Sequence, residues 1–200
     1  MTRYQKFICG IYFVLVAAAE TSTIYNPTFG IALHVVLLFS LLTFSALTKD
    51  PVFSGFLLAF AIVPLIRTLS LAMPLTHFTR LMWFLLISIP IFIAIFTCMK
   101  IQKLSLRDVG MTFSRIKDLP IQIGVVLLAV PTGILEYYLL TPRPLVYELE
   151  PTLLIAPVLI IIICTGFVEE LAFRGLLQYH AVKLMGWWGI FLATVLYPGV

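Results

Sequence analysis

Charge is scarce in this sequence: 11% of its 200 residues are Asp, Glu, Lys or Arg, against 62% hydrophobic side chains. Soluble globular domains carry about 25% charged residues, so that class is excluded and a polytopic membrane protein remains. Cysteine is sparser still, at three residues. Cys9, Cys98 and Cys164 lie in apolar stretches, are widely spaced and odd in number, which suggests neither a disulfide framework nor a thiolate metal site and leaves them as small packing groups. The net charge of +4 is too small to suggest a nucleic-acid partner. The sequence also lacks a glycine-rich phosphate loop, an internal repeat, a low-complexity tract and the His-Glu-x-x-His of conventional zinc proteases.

What is present is a succession of apolar runs. Arg3 and Lys6 precede the run 7–19, read as a retained first helix although its Ala17-Ala18-Ala19 end also fits a cleavable signal peptide. Residues 21–27 read as a polar turn. Further spans are expected at about 29–47, 52–73, 78–99, 121–140 and from 151 through 184, the third kinked by Pro64. Gly186-Trp187-Trp188-Gly189 reads as an interfacial aromatic turn, and a seventh segment begins at Gly189. Between the fourth and fifth spans, Lys100, Lys103, Arg107, Arg115 and Lys117 are interleaved with apolar residues that follow no clean period, which predicts an interfacial segment.

Basic residues then fall unevenly on alternate sides. Arg3, Lys6, Lys49, the five of the interfacial segment, Arg174 and Lys183 lie on one, and Arg80 and Arg143 on the other, which predicts a cytoplasmic N-terminus. The expected architecture is an all-α polytopic integral membrane helix bundle with about seven transmembrane segments in this chain, the last incomplete.

Charges inside such spans cost about 2.5–3.5 kcal/mol each on insertion scales, so they are expected in pairs or at working sites. Arg67 and Glu136 match in depth, predicting an ion pair between the third and fifth spans. His34 and His77 are read as structural. His180 lies about 16 Å along a helix from Glu169, too far for direct contact, and is read as an interfacial structural histidine.

The stretch Glu169-Glu170-Leu171-Ala172-Phe173-Arg174 gathers two carboxylates and a guanidinium after an uncharged run. On a helix Glu170 and Arg174 are four apart and pair easily, while Glu169 points about 100° away from Glu170. One carboxylate is then held while the other can face a cavity and act as a general base for water. The plainer reading is a charged helix end at the interface, with Glu170 and Arg174 paired and Glu169 solvated.

Glu-Glu-x-x-x-Arg, followed here by Gly175, resembles the first motif of the CAAX-protease and bacteriocin-processing family, intramembrane glutamic-type proteases also described as metalloproteases. The resemblance implies catalytic roles for Glu169, which would activate the attacking water, and for Glu170 and Arg174, which would support and orient the site. It also implies N-terminal transmembrane helices with a basic interfacial linker over 1–120 and the first part of the protease domain over 121–200. A second motif, an aromatic followed four residues later by histidine, would start at Tyr197, its histidine falling just past Val200; the fragment alone is expected to be inactive.

The implied activity is an intramembrane endopeptidase that hydrolyses a peptide bond of a membrane-associated or lipidated protein, including prenylated peptides. No cofactor is required by this reading, and a divalent metal such as zinc is left open. Membrane lipids and such peptides are the expected partners, with no nucleic acid, in a bacterial plasma membrane. The alternatives are a non-catalytic immunity or accessory protein of the same fold, or a small transporter, against which stands the lack of repeated halves.

Overall fold

The computed structural model describes residues 1–73, 78–112, 119–141 and 150–196, and every regular element among them is helical. Helix α1 (Arg3–Tyr25) opens with a reciprocal cap: Thr2 Oγ1 accepts the Gln5 N–H at 3.2 Å and Gln5 Oε1 accepts the Thr2 N–H at 2.8 Å. It runs through the expected polar turn at 21–27. The Thr21, Ser22 and Thr23 hydroxyls donate to the carbonyls four residues earlier at 2.8, 2.7 and 2.9 Å, so these polar side chains satisfy themselves on the helix instead of ending it. The turn shrinks to Asn26, which caps helix α2 (Pro27–Leu47) by accepting the Phe29 N–H at 3.1 Å, with Pro27 in the first position where no N–H is needed. Glu20 is thereby carried inside a helix.

The third span divides into α3 (Pro51–Phe60) and α4 (Ile62–Ala72). The break falls at Ala61, before Pro64, because proline removes the N–H that would bond the Phe60 carbonyl and its ring crowds that oxygen. Asp50 caps α3, accepting the Val52 N–H at 3.0 Å, and also accepts Gln5 Nε2 at 2.6 Å, which ties the starts of α1 and α3 together. The Gln5 bond is the chief cause that holds the Asp50 carboxyl below its ordinary 3.8.

Helices α5 (Arg80–Ile101), α6 (Leu119–Leu140), α7 (Pro151–Ile161), α8 (Gln178–Met185) and α9 (Trp187–Leu196) complete the order, with two π-wound stretches between α7 and α8. Among the described residues, six continuous helical stretches are long and apolar enough to cross a membrane, the sixth being Leu153–Met185, and α9 is a shorter apolar helix. The chain is an integral membrane helix bundle. Pro51–Ala72 is its most enclosed member, and α6 has no buried residue. The fully enclosed Phe53, Phe56, Leu57 and Phe60 of α3 share one core with Leu171, Phe173, Leu176 and Leu177.

After Ile101 the basic segment leaves the helix and turns, with the Ser105 N–H and hydroxyl donating to Asp108 at 2.7 and 2.6 Å. Val109, buried, folds back against the motif helix: its carbonyl oxygen lies 3.1 Å from where a Cβ at Gly175 would stand. Glycine at 175 admits that backbone. His77, Arg115, Lys117, Arg143 and Tyr197, singled out from the sequence, lie outside the described residues.

Candidate active site

No proline stands between Ile161 and Gln178, and the helix continues unbroken from Leu153 to Met185 over 33 residues. Glu169 is midway, on the order of 20 Å from either end. The two glutamates therefore do not stand at a helix end. Sequence periodicity gave no warning of the winding: Ile162–Phe167 and Glu170–Leu177 are π-helical, each widened turn holding an extra residue. Such turns are rare and concentrate at functional sites.

Glu170 and Arg174 pair at 3.2 Å on the outer face, with 44% and 68% of their side-chain surfaces exposed. Such an open pair contributes little to stability, about 0.3–0.5 kcal/mol. Its flanks Leu171, Ala172 and Phe173 are buried inward.

Glu169 turns towards α4 and α5 and lines a cavity of about 270 Å³ together with Arg67, Ser70, Trp83, Cys164 and Thr165. Trp83 Nε1, Thr165 Oγ1 and Arg67 Nε are all buried there without a hydrogen-bond partner. Orphaned polar groups around a space large enough for several waters, at about 30 Å³ each, define a place for water or a polar ligand.

Arg67 also faces the other way. Its guanidinium binds the Glu20 carboxylate, and His34, fully buried, brings Nε2 to 3.7 Å from the same group. Glu20, Arg67 and Phe173 share a second cavity of about 340 Å³. The expected Arg67–Glu136 pair is thus overturned: Glu136 is exposed on α6, and Glu20, carried inside α1 by the self-satisfied hydroxyls, reaches Arg67 instead. Sequence reasoning missed Glu20 because the span was taken to stop at Ala19. The available signal was the Thr21-Ser22-Thr23 run, whose side chains can back-bond on a helix. His34 is buried as a structural histidine would be, and His180 lies in a separate cavity with residues of α3 and the close of α5.

A larger space of about 620 Å³ between α1 and α9 is lined chiefly by apolar residues such as Phe13, Leu184, Trp188 and Phe191. It brings no chemistry together. No cluster of three His, Cys, Asp or Glu side chains among the described residues suits a metal ion, and the cavity beside Glu169 is shared with a guanidinium, a poor neighbour for a cation.

The family model described as type II CAAX prenyl endopeptidase Rce1-like matches residues 151–198, which span α7, the two π stretches with Glu169, Glu170 and Arg174, α8 and α9. Over this segment the chain is similar to the CAAX endopeptidases. No curated protein and no solved structure matches the chain. The matched segment is thus the helix that carries the glutamates and the hairpin at its end, where Gly186 takes φ 61° and Gly189 lets α9 close directly onto the Ala181 backbone.

Proposed function

We propose that the chain serves an intramembrane endopeptidase in which Glu169 activates water within the membrane. The observation that carries the reading is Glu169 lining, with Arg67, Trp83 and Thr165, a cavity halfway along the helix that the CAAX-endopeptidase model matches. Water in that cavity gives a proton to the Glu169 carboxylate as its oxygen bonds to the scissile carbonyl carbon. The proton then passes to the departing amine, so one water is consumed and a carboxylate and an amine are left. Arg67, Trp83 and Thr165 supply positive charge and hydrogen-bonding groups around the reacting atoms. Glu170 and Arg174 fix the outer face of the π turn and thereby the direction of Glu169. The substrate is a membrane-associated or lipidated peptide, prenylated peptides being the class suggested by the family description.

The test uses membranes containing the protein expressed from its own gene and a farnesylated peptide ending in a CAAX sequence, in water enriched in oxygen-18. Mass spectrometry should find one heavy oxygen in the new carboxylate, and Glu169→Gln should lower the rate at least about a hundredfold, the lower bound for loss of a general base. A Glu169→Gln protein that cleaves at the wild-type rate would defeat the assignment of the base. Failure of the wild type to cleave would defeat the substrate class.

A further inference from the structure

At the end of the bundle that carries Lys49, Lys100 and Lys103, α3, the close of α5 and α8 enclose a cavity of about 420 Å³ separate from the glutamates. His180 lies in its wall, 5% exposed, with both ring nitrogens lacking a partner. The ring rests on Gly55, where a Cβ would stand 2.8 Å from Cε1 and 2.9 Å from Nδ1, so the glycine is what makes room for the imidazole. Gln102 donates through Nε2 to Cys98 Sγ at 3.0 Å and to the Gly55 carbonyl at 3.4 Å, which leaves its Oε1 buried and unmatched. Lys103 and Lys183 bring two cations to the rim; Lys183 bonds the Tyr179 hydroxyl and lies 4.1 Å from the centre of its ring. Asp108, whose carboxylate feels the Lys183 charge, is occupied by Ser105 at 2.6 and 2.7 Å.

Two ammonium groups above a histidine and an amide oxygen that both want partners describe a ligand with a phosphate at one part and hydroxyls at another. We infer that this cavity binds a polyol phosphate, as a phospholipid headgroup of the phosphatidylglycerol type or as the free compound. The phosphate meets Lys103 and Lys183, and the ligand's hydroxyls donate to Gln102 Oε1 and the His180 lone pair while the ring N–H donates back. Position agrees. A helix of 33 residues is about 50 Å long, against a hydrocarbon layer of about 30 Å, so the final turns with Tyr179 and Lys183 stand at headgroup depth, where basic pockets between spanning helices recognise anionic lipids.

Titration calorimetry of the purified protein in maltoside detergent tests this with dioctanoyl phosphatidylglycerol, dioctanoyl phosphatidylcholine and glycerol 3-phosphate as probes. Saturable binding is expected for the glycerol lipid and not for the choline lipid, which lacks both net charge and hydroxyls. Lys103→Gln and Lys183→Gln should each weaken it roughly fivefold, and both together roughly twenty-five-fold, from about 1 kcal/mol per lysine near a lipid surface. These exposed substitutions leave the core untouched; Gly55→Ala, which drives a methyl against the His180 ring, should abolish binding from inside. Glycerol 3-phosphate binding as tightly as the lipid would assign the soluble compound. No saturable binding of either anionic probe, or unchanged binding by the double lysine variant, would overturn the proposal.

Discussion

Replacing Arg67 with methionine removes the partner of the half-buried Glu20 carboxylate. Two opposite charges in hydrogen-bond contact attract by about 4 kcal/mol at an effective dielectric constant of 20. The Arg67 and Glu20 side chains are 30% and 34% exposed, which weakens the attraction, and His34 at 3.7 Å offers Glu20 a second neighbour. A coupling of roughly 2 kcal/mol is the expected result, below the 3–5 kcal/mol cost of breaking a fully buried pair. The assay is a double-mutant cycle of Arg67→Met, Glu20→Gln and the two together, read as thermal unfolding in one detergent. Each kcal/mol moves the midpoint by about 2–4 °C in a protein of this size, so either single change should lower it by roughly 4–8 °C. The double variant should recover much of the loss, since neither leaves an orphan charge. Strictly additive single effects would refute the pairing and return Glu136 to consideration.

Three further outcomes follow from the same structure. Gly175→Val should push the Val109 backbone off the motif helix, because even a Cβ would stand 3.1 Å from its carbonyl oxygen; hydrogen exchange should rise across residues 104–112, with about 1–3 kcal/mol lost to overpacking. Asp50 has a lowered carboxyl pKa when folded, so its contribution is complete above the ordinary 3.8 and disappears as pH falls through the folded value. A melting-temperature profile from pH 6 to pH 2 should show that step, and Asp50→Asn should erase it. Gly189→Leu should separate α9 from α8, where glycine alone fits against the Ala181 backbone, and this should appear as faster proteolysis after Gly186.

The spans were legible because an apolar run of about twenty residues has few other fates, and the reading of 121–140 as a helix lies within two residues of α6. Likewise, the four-residue spacing of Glu170 and Arg174 foretold their pairing, since neighbours on one helix are a local property. Which helices lie side by side is not local. Depth matching offered Glu136 to Arg67, and only the three-dimensional arrangement, with α1 extended to Tyr25, put Glu20 there. The π winding was equally hidden: the residues of 162–177 satisfy an α-helical pattern, and the extra residue per turn is decided by packing against α3, α5 and α9.

That winding bears on how the chain tolerates insertion and deletion over evolutionary time. A π turn is an α-helix holding one residue more than its span requires, and the motif helix has such a stretch before Glu169 and another after it. Loss of one residue within either stretch can be absorbed by relaxation to α winding, with the faces beyond it kept in register. The same loss within α8 has no slack to draw on; it would rotate everything downstream by about 100° and carry Gly189 away from Ala181. Changes of length along this helix should therefore be found on either side of the glutamate and be purged near its end.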